Sequence, residues 1–432
     1  MREYFGTDGI RGVFNETVTS QLAFNLGRTF CRNKIVIGRD TRVSGEVLSF
    51  SVCLGAMLKG CKVVDVGIVP TPAISFFVKE MNFDYGVMIT ASHNSSEYNG
   101  IKIFDKNGCK ISVKEEKEFE KVLNKRTSFG FIDFGDYKLK TNKLKDYENH
   151  VLLNSQTLEG LKILLDCANG ATYKIAPIVF KKLGANVIKT ACLNKGERIN
   201  RNCGALYVEK LRGKMIKKNC DIAIAFDGDG DRVMAIDKSG RIIDGDRILL
   251  MLSKYLRLND LNQIKEVVAT QMSNLSLENE LKKIGINLSR VDIGDKNITK
   301  LLEEKKLKLG AEQSGHIILN DFLPTGDGIM AGVKICEVLK YRNDIFDEVM
   351  NLKFYPQILE NVVVDFPSEI VNNKSFNELL NNLQNDLVCG GRIFVRASGT
   401  EPKLRILVES EDRLLAKGII NTLLCSIKKM RK

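Results

Sequence analysis

Short, nearly continuous apolar runs recur along the chain, and each is followed by a polar or glycine-containing loop. Apolar runs of this length are typical of strands that are buried on both faces of a sheet. They occur at Lys34–Gly38, Tyr85–Ile89, Leu161–Leu165, Asp221–Phe226, Val267–Ala269, Leu288–Asp292 and Gly391–Val395. Helical patterns lie between them at Glu46–Lys59, Lys174–Leu183, Ser276–Ile284 and Gly328–Leu339. This alternation predicts α/β units with parallel sheets, whose functional loops lie at the carboxyl ends of the strands.

Polar stretches divide the chain into segments. The 432 residues are too many for one small core, and length alone suggests about three domains. Residues Thr127–Asn142 and Asn351–Leu359 have the composition of connections, and a further boundary falls near Asp244–Arg247. The last segment, of about 75 residues, has an α+β pattern.

Composition excludes several classes of protein. The net charge of +12 comes from lysines that are dispersed among acidic residues, with no basic block and no tryptophan, so nucleic acid is not an expected partner. No apolar run approaches the ~20 residues of a membrane span, and the first residues do not resemble a signal peptide. The eleven cysteines form no Cys-x-x-Cys pair and the three histidines have no cysteine at ligand spacing, which argues against a zinc site. We therefore expect a cytoplasmic protein in a reducing compartment.

Residues 227–231 read DGDGD, directly after a predicted buried strand, and Arg232 follows. Alternating carboxylates in an extended loop can converge, and a hard cation with oxygen ligands offsets their repulsion. An EF-hand is excluded because its sixth and twelfth positions would be Arg232 and Lys238. The motif predicts a metal site formed by Asp227, Asp229 and Asp231, and Mg²⁺ fits it best beside phosphate groups.

Residues 90–94 read TASHN, after another predicted strand. A serine exposed on such a turn can be a nucleophile or a phosphoryl carrier, but the same residues can simply cap the next segment. The nucleophile elbow of α/β-hydrolases is excluded because it needs glycines two residues either side of the serine. On its own this motif leaves both interpretations of Ser92 open.

Three further motifs bear on ligand binding. Residues 396–405 (RASGTEPKLR) combine backbone N–H groups, two hydroxyls and two arginines, which suits a dianion. Residues 312–316 (EQSGH) suit a polyhydroxylated ligand, although a polar turn could have the same composition. Residues 5–12 (FGTDGIRG) place Arg11 after a glycine-rich turn. Neither a Walker A motif nor a dinucleotide fingerprint occurs, so a nucleotide is not the leading ligand.

These five motifs, in order from Phe5 to Arg405, closely resemble the α-D-phosphohexomutase superfamily, and FGTDGIRG and EQSGH are most similar to its bacterial phosphoglucosamine mutases. The resemblance implies an α/β protein with four domains around a central cleft. Three are related α/β domains with mixed or parallel sheets, and the fourth is a smaller α+β domain. We predict their bounds as residues 1–145 (phosphoserine loop), 146–244 (metal-binding loop), 245–350 (sugar-recognition loop) and 351–432 (phosphate-binding loop).

The resemblance also implies roles for individual residues. Ser92 matches the phosphoserine of the family, which binds one Mg²⁺ per subunit together with the three aspartates of DGDGD. Arg11 and Arg232 match residues that stabilise the transferring phosphoryl group, and His93 lies beside the carrier. Lys102 and His316 match proposed acid/base or positioning groups.

Substrate recognition is implied for two further sets of residues. The sugar is assigned to Gly294, Asp295, Glu312 and Ser314. The phosphate that is not being transferred is assigned to Arg396, Ser398, Gly399, Thr400 and Arg405.

The implied reaction is that of an isomerase acting by phosphoryl transfer. Phospho-Ser92 donates to O1 of glucosamine 6-phosphate, and the 1,6-bisphosphate returns its 6-phosphate to Ser92, releasing glucosamine 1-phosphate on the route to UDP-N-acetylglucosamine and cell-wall sugar. Glucosamine or glucose 1,6-bisphosphate would be the activator, and the resemblance also allows a homodimer.

Some positions depart from the family pattern. Ser95 stands where proline usually follows His-Asn, Lys296 replaces an arginine usual in glucosamine members, and Ala311 replaces a glycine. The nearest alternative is the phosphomannomutase/phosphoglucomutase branch, which usually has methionine at the position of Gln313. A non-catalytic sugar-phosphate regulator would be expected to lack Ser92 or the aspartates, and both are present.

Overall fold

The structure is a computed structural model that describes residues 4–6, 8–123, 134–259, 264–387, 390–397 and 402–430. The chain forms two compact units. The first consists of residues 1–271 and 289–350, and the second of residues 272–288 and 351–432.

The first sheet of the first unit carries the TASHN and FGTDGIRG motifs. Its elements in chain order are β1 (Phe5–Gly6), β2 (Gly9–Val13), α1 (Ser20–Gly27), β3 (Lys34–Arg39), α2 (Ser44–Met57), β4 (Lys62–Ile68), α3 (Thr71–Glu80), β5 (Tyr85–Ile89), β6 (Tyr98–Asp105), α4 (Val113–Leu123) and β7 (Asp136–Leu139). The strand order is β1-β2-β6-β5-β3-β4-β7. β3 is parallel to β4 and β5, and β6 is antiparallel to β2 and β5. The TASHN loop therefore leaves the carboxyl end of a central strand.

The second sheet carries the DGDGD loop. The elements that follow β7 are α5 (Leu144–Leu153), β8 (Lys162–Asp166), α6 (Ile175–Lys182), β9 (Asn186–Thr190), α7 (Arg212–Lys218), β10 (Ile222–Phe226), β11 (Val233–Asp237) and β12 (Ile242–Ile243). The strand order is β12-β11-β10-β8-β9, with β10 parallel to β8 and antiparallel to β11. Every residue of β10 is buried, which explains its uninterrupted apolar sequence IAIAF. The DGDGD loop lies between β10 and β11.

The third sheet carries the EQSGH loop. Its segment contains α8 (Gly245–Asn259), β13 (Glu266–Thr270), α9 (Leu275–Lys283), β14 (Asn287–Val291), α10 (Asp295–Lys305), β15 (Leu309–Ala311), β16 (Ile317–Leu319), α11 (Gly328–Tyr341) and α12 (Asn343–Asn351). The strand order is β14-β13-β15-β16. EQSGH connects β15 to β16, and Gly294-Asp295 begins α10.

The C-terminal sheet lies in the second unit. Its segment contains β17 (Gln357–Val363), α13 (Pro367–Val371), α14 (Lys374–Asn385), β18 (Gly391–Ala397), β19 (Lys403–Ser410) and α15 (Arg413–Met430). The strands are antiparallel in the order β17-β19-β18. Leu404, Ile406 and Val408 alternate along β19, so they share one face of the sheet, and they are buried in a core with residues of α15 such as Ile420.

The predicted fold class is confirmed: three α/β segments with mixed sheets precede a smaller α+β segment. The apolar runs and helical patterns coincide with β3, β5, β8, β10, β13, β14, β18, α2, α6, α9 and α11 to within two residues at each end. Within the predicted connection Thr127–Asn142, however, residues 136–139 form β7, while residues 127–133 lie outside the described part of the chain. No helix in the described part of the chain is long and apolar enough to cross a bilayer.

Candidate active site

Ser92 lies in the loop that follows β5. Its backbone φ is +50°, a left-handed conformation that costs a non-glycine residue about 1–3 kcal/mol. The residue is 1% exposed, and its Oγ donates a 2.6 Å hydrogen bond to Oδ2 of Asp227. The strained turn therefore holds the hydroxyl against the first aspartate of the DGDGD loop.

A buried arginine, Arg42, braces this turn. It donates hydrogen bonds to backbone carbonyls of the loop, those of Ser92, Asn94, Ser95 and Tyr98. Its guanidinium also pairs with Asp40 at 3.0 Å. A guanidinium presents its donors in one rigid plane, so a single side chain fixes several carbonyls at once. The loop is therefore tied down at the carbonyl of Ser95, where the family pattern has proline.

The glycines of DGDGD allow a close approach of neighbouring segments. A Cβ on Gly228 would lie 2.5 Å from the carbonyl oxygen of Ser92. Gly230 has a φ of +72°, and its Cβ would lie 2.4 Å from Cγ2 of Thr172. Side chains at these two positions would push the aspartates away from the carrier loop, which explains the alternation of glycine with aspartate.

The three aspartates form a group that fits a divalent cation. Oxygens of Asp227, Asp229 and Asp231 lie within 4.8 Å of one another, and all three residues are buried. Oδ1 of Asp229 is buried and accepts no hydrogen bond from the described residues. Burial, together with the charges of Asp231 and Asp229, raises the pKa of Asp227 well above its usual value. A hard cation would offset this repulsion and use the unpartnered oxygen, so the donor set suits Mg²⁺.

Lys102 of β6 is the cation nearest to these carboxylates. Its Nζ lies 2.8 Å from Oδ2 of Asp229 and 2.7 Å from Oδ2 of Asp231. Burial opposes the charged form, but the carboxylates of Asp229, Asp231 and Asp8 raise the pKa of Lys102 well above its usual value. Lys102 is therefore protonated in this arrangement, because the neighbouring carboxylates stabilise its charged form.

His93, beside the hydroxyl of Ser92, is influenced by the charges of two guanidinium groups, those of Arg11 and Arg232. Arg11 on β2 pairs with Asp8, and the Nε atoms of Arg11 and Arg232 are buried without a hydrogen-bond partner among the described residues. Such donors suit an anion. Nδ1 of His93 lies 3.4 Å from Oγ of Ser92. Burial, with the charges of Arg232 and Arg11, lowers the pKa of His93 to about 4, so its ring is neutral near pH 7.

His316 lies between two carboxylates. Its Nδ1 is 3.8 Å from Oδ1 of Asp231, and its Nε2 is 3.4 Å from Oδ2 of Asp295. Although burial opposes the charge, these carboxylates raise the pKa of His316 above its ordinary value. The backbone N–H of Gly326 donates to Nε2 at 3.1 Å, so a neutral ring carries its proton on Nδ1, facing Asp231.

The residues assigned to sugar recognition come together from two loops. Glu312 accepts hydrogen bonds from the backbone N–H of Gly294 at 3.2 Å and from Oγ of Ser314 at 3.3 Å. Asp295 begins α10 beside His316. Gly294 and Glu312, which form this contact, are 18 residues apart in sequence. Both loops lie in the same compact unit as Ser92 and the aspartates.

The predicted phosphate-binding residues lie in the second unit. Arg396 on β18 and Arg405 on β19 are direct partners in the antiparallel register. Nε of Arg405 is buried and has no hydrogen-bond partner in the described residues. Ser398, Gly399 and Thr400 lie outside the described part of the chain.

Several residues around the site were not identified from the sequence. They are Asp8, Arg42, Thr71, Lys110 and Asn200. Thr71 donates to Asp229, and Asn200 donates to the carbonyl of Ser92 at 2.8 Å. Asp8 lies inside FGTDGIRG and Arg42 follows a predicted strand, so both carried a positional signal, whereas the other three are indicated only by their tertiary contacts.

Four profiles of one protein family match successive segments of the chain. Profiles described as "Phosphoglucomutase/phosphomannomutase, alpha/beta/alpha domain I", "domain II" and "domain III" match residues 2–129, 142–240 and 244–354. The profile of the C-terminal domain of the same family matches residues 359–423. The matched segments carry the Ser92, DGDGD, EQSGH and Arg396–Arg405 regions in that order.

Individual proteins are similar over nearly the full length. A phosphoglucosamine mutase from Buchnera aphidicola subsp. Baizongia pistaciae (strain Bp) is 41% identical over 455 residues, covering 100% of this chain and 98% of that protein. A phosphoglucomutase/phosphomannomutase family protein from Burkholderia thailandensis superposes with a TM-score of 0.84 at 23% identity, covering 100% and 99% of the two chains. N-acetylphosphoglucosamine mutase from Aspergillus fumigatus, solved with GlcNAc-6P and magnesium, gives a TM-score of 0.70 at 16% identity, with coverage of 100% and 96%.

Proposed function

The chain belongs to the phosphoglucomutase/phosphomannomutase family, and we propose that within it the enzyme interconverts glucosamine 6-phosphate and glucosamine 1-phosphate. The observation that carries the chemistry is the contact between the hydroxyl of Ser92 and Asp227, next to two further aspartates. The observation that favours glucosamine is the 41% identity over the full chain to a phosphoglucosamine mutase.

In the proposed cycle Ser92 is phosphorylated before substrate binds. Its phosphoryl group passes to O1 of glucosamine 6-phosphate, which gives the 1,6-bisphosphate and the free hydroxyl of Ser92. After the bisphosphate turns over, its 6-phosphoryl group passes to Ser92 and glucosamine 1-phosphate leaves. Glucosamine or glucose 1,6-bisphosphate from solution would restore any enzyme that had lost its phosphate. Because sugar phosphates are retained in the cytoplasm, we place the enzyme there.

The residues of this chain have separate tasks in the cycle. Asp227, Asp229 and Asp231 hold Mg²⁺, which when bound offsets the charge of the transferring phosphoryl group. The Nε atoms of Arg11 and Arg232, which are buried without a hydrogen bond to the described residues, contact that group. A cleft that excludes water is also needed, because phosphoserine would otherwise be hydrolysed.

Proton movement and sugar recognition fall to the other side chains of the site. Lys102 and His316 hold protons near the reacting oxygens, and the neutral ring of His93 lies beside Ser92. Glu312 and Ser314 contact the sugar hydroxyls.

The C-terminal segment has a binding task in this proposal. Arg396, Ser398, Gly399, Thr400 and Arg405 hold the phosphate that is not being transferred. The buried, unpartnered Nε of Arg405 supports this assignment, since a donor in that state is suited to an anionic ligand.

We also propose that the enzyme is a homodimer that associates through α2. The side chains of Val43, Val47, Phe50 and Leu54 are 73%, 48%, 59% and 53% exposed, respectively. Their spacing of four, three and four residues places them in one stripe along the helix. The only charged residue of α2, Glu46, is already paired with Arg39. Two copies of a stripe without charges can face each other across a two-fold axis with no like-charge repulsion, which favours a second copy of this chain as its partner.

The alternative substrate, a mannose or glucose phosphate, is not favoured by the similarity to phosphoglucosamine mutases over nearly the full chain, although some positions depart from the glucosamine pattern. One of them has a structural explanation: the Nζ of Lys296 pairs with the fully buried carboxylate of Glu116 in α4. Lys296 therefore stabilises packing between α10 and α4, and its replacement of arginine weighs little on sugar choice.

The experiment that tests the function compares three substrates. Purified enzyme is assayed with glucosamine 6-phosphate, glucose 1-phosphate and mannose 1-phosphate in coupled assays. We expect kcat/KM for the amino sugar to be at least tenfold higher, which needs about 1.4 kcal/mol of differential transition-state binding, within the range of one hydrogen bond. Equal or better use of mannose 1-phosphate would refute the glucosamine assignment and favour the phosphomannomutase/phosphoglucomutase branch.

A further inference from the structure

Lys110 lies between two carboxylates beside the candidate active site, and none of the five sequence motifs contains it. It follows β6 and forms an isolated β-bridge with Phe104. Its side chain is 6% exposed, and its Nζ forms ion pairs with Oδ1 of Asp8 and Oδ2 of Asp295. Asp8 and Asp295 are 287 residues apart in sequence but share this one ammonium group.

Each of the two carboxylates also contacts a side chain that we assign to catalysis. Oδ2 of Asp8 pairs with the guanidinium of Arg11. Oδ2 of Asp295 lies 3.4 Å from Nε2 of His316. A continuous chain of contacts therefore runs Arg11–Asp8–Lys110–Asp295–His316.

We propose that Lys110 is a positioning residue, which fixes Arg11 through Asp8 and His316 through Asp295 in one geometry for phosphoryl transfer. The assignment rests on the proposed function of this site. Lys110 itself touches neither the aspartates of DGDGD nor Ser92, so its effect is indirect.

The physical basis is the charge that Lys110 offsets. Without Lys110, Asp8 would keep Arg11 and Lys102 as cationic partners and Asp295 would keep His316. A buried carboxylate that loses one ion-pair partner is destabilised, so it shifts or takes up water. Either response changes the direction of the side chains that these carboxylates hold. A displacement of about 1 Å in an active site can lower the rate by about a hundredfold.

Other contacts hold the same two segments together when Lys110 is replaced. Lys296 pairs with Glu116, and Sγ of Cys109 donates to Oε1 of Glu303 at 2.8 Å. Both link the segment of β6 and α4 to α10. We therefore expect the fold to survive the loss of Lys110, so that its effect on catalysis can be measured.

The test compares Lys110→Met, Lys110→Arg and the control Lys114→Met, which removes an exposed lysine four residues away. Rates are expressed per phosphorylated enzyme, counted by intact mass, on whichever phosphohexose the wild type turns over fastest. We expect Lys110→Met to lower kcat by ten- to a hundredfold with KM changed less than threefold. Lys110→Arg should recover most of kcat, and Lys114→Met should stay within twofold of the wild type.

If the role of Lys110 were purely structural, Lys110→Met would lower the melting temperature and the phosphorylated fraction, but it would not lower kcat per phosphorylated molecule. The proposal is overturned if Lys110→Met keeps that kcat within twofold. If Lys110→Met does not fold, Lys110→Gln, Asp295→Asn and the double variant Lys110→Gln/Asp295→Asn are compared instead: the double variant should be no slower than Asp295→Asn alone, whereas losses of kcat that multiply would overturn the link. A wild type that prefers mannose 1-phosphate would refute the proposed sugar and leave this test intact.

Discussion

At the scale of single residues, the site depends on a serine held in an unfavourable conformation. The φ of +50° at Ser92 persists because Arg42 and Asn200 bind its carbonyl and Thr90 accepts from its N–H at 2.9 Å. Strain of this kind is maintained only where surrounding contacts determine the conformation. The surroundings of Ser92 therefore fix the position of its hydroxyl before any ligand binds.

Replacing Ser92 by alanine tests its role as the phosphoryl carrier. Ser92→Ala should abolish mutase activity and remove the phosphate from the intact mass, because no other hydroxyl in the described structure is bonded to Asp227. The matched control is Ser95→Ala, whose exposed hydroxyl contacts only Glu97 in the described structure. A fully active Ser92→Ala enzyme would refute the phosphoserine hypothesis.

The residues that the sequence identified differ in kind from those it missed. The three aspartates were recognisable because their alternation along a single loop follows from what a metal site needs, whereas Ser92 was assigned only through the resemblance carried by five ordered motifs. Asn200 and Lys110 bind partners up to 108 and 185 residues away, and such distant pairs have no signature in one sequence. Positioning residues of this kind require the tertiary structure.

At the scale of elements, loops at the carboxyl ends of buried strands supply the functional groups. The strands β5, β8 and β10 were predictable because burial on both faces demands continuous apolar residues. β7, with the sequence DYKL, is largely exposed at the edge of its sheet, so its polar residues indicated a loop. Apolar runs in a sequence indicate buried strands, and an exposed edge strand such as β7 has almost no apolar run.

The DGDGD loop gives a prediction about the metal. Asp229→Asn removes one of three carboxylates, so Mg²⁺ should bind about tenfold more weakly or worse, while far-UV circular dichroism stays unchanged. EDTA should abolish the mutase activity of the wild type, and added Mg²⁺ should restore that activity. Asp221→Asn, at the other end of β10, is the control. Activity that survives thorough chelation would contradict the metal assignment.

Helix α11 gives a prediction about pH. Asp327 caps this helix, accepting from the N–H of Met330 at 2.9 Å and from the hydroxyl of Tyr147 at 2.7 Å. Burial raises the pKa of Asp327 to about 6. Because this is above the value of about 3.9 for an unfolded aspartate, the protonated form stabilises the fold at low pH. That stabilisation is lost as the pH rises from about 4 to 6.

Asp327→Asn keeps a capping side chain but cannot ionise. As the pH rises from 4 to 7, the free energy of unfolding of the variant should therefore increase, relative to that of the wild type, by up to about 3 kcal/mol. Urea denaturation across this range measures the difference. The control Asp321→Asn, at an exposed position, should show no such trend. A pH-independent difference for Asp327→Asn would refute a raised pKa.

At the scale of the whole molecule, the order of the motifs carried more information than any one motif. TASHN alone left two interpretations open, and FGTDGIRG alone was weak evidence. Five motifs in one order implied a family, which then implied a fold that strand patterns alone described only as α/β. The fold class and the family were predictable for this reason, whereas the oligomeric state depends on surface residues that no motif includes.

The second unit gives a prediction that separates binding from chemistry. Losing one charge-assisted contact typically costs about 1.5–3 kcal/mol, so Arg405→Ala should lower kcat/KM by about ten- to a hundredfold. The variant should still carry phosphate on Ser92 and bind Mg²⁺, since those residues lie in the first unit. Arg413→Ala, an exposed arginine at the start of α15, is the control. Unchanged kinetics in both Arg405→Ala and Arg396→Ala would refute the phosphate-binding role.

The exposed stripe on α2 gives a prediction about assembly. Phe50 projects from the middle of the stripe and is 59% exposed, so a lysine there would place two like charges together across a two-fold axis. We expect the wild type to behave as a dimer at micromolar concentration in light scattering and sedimentation, and Phe50→Lys as a monomer. Leu414→Lys replaces a leucine of the second unit that is 79% exposed, and it should leave the dimer intact. Because the Ser92, DGDGD and EQSGH residues come from a single chain, monomeric Phe50→Lys should keep kcat within about twofold. A monomeric wild type, or a Phe50→Lys variant that still dimerises, would refute association through this face.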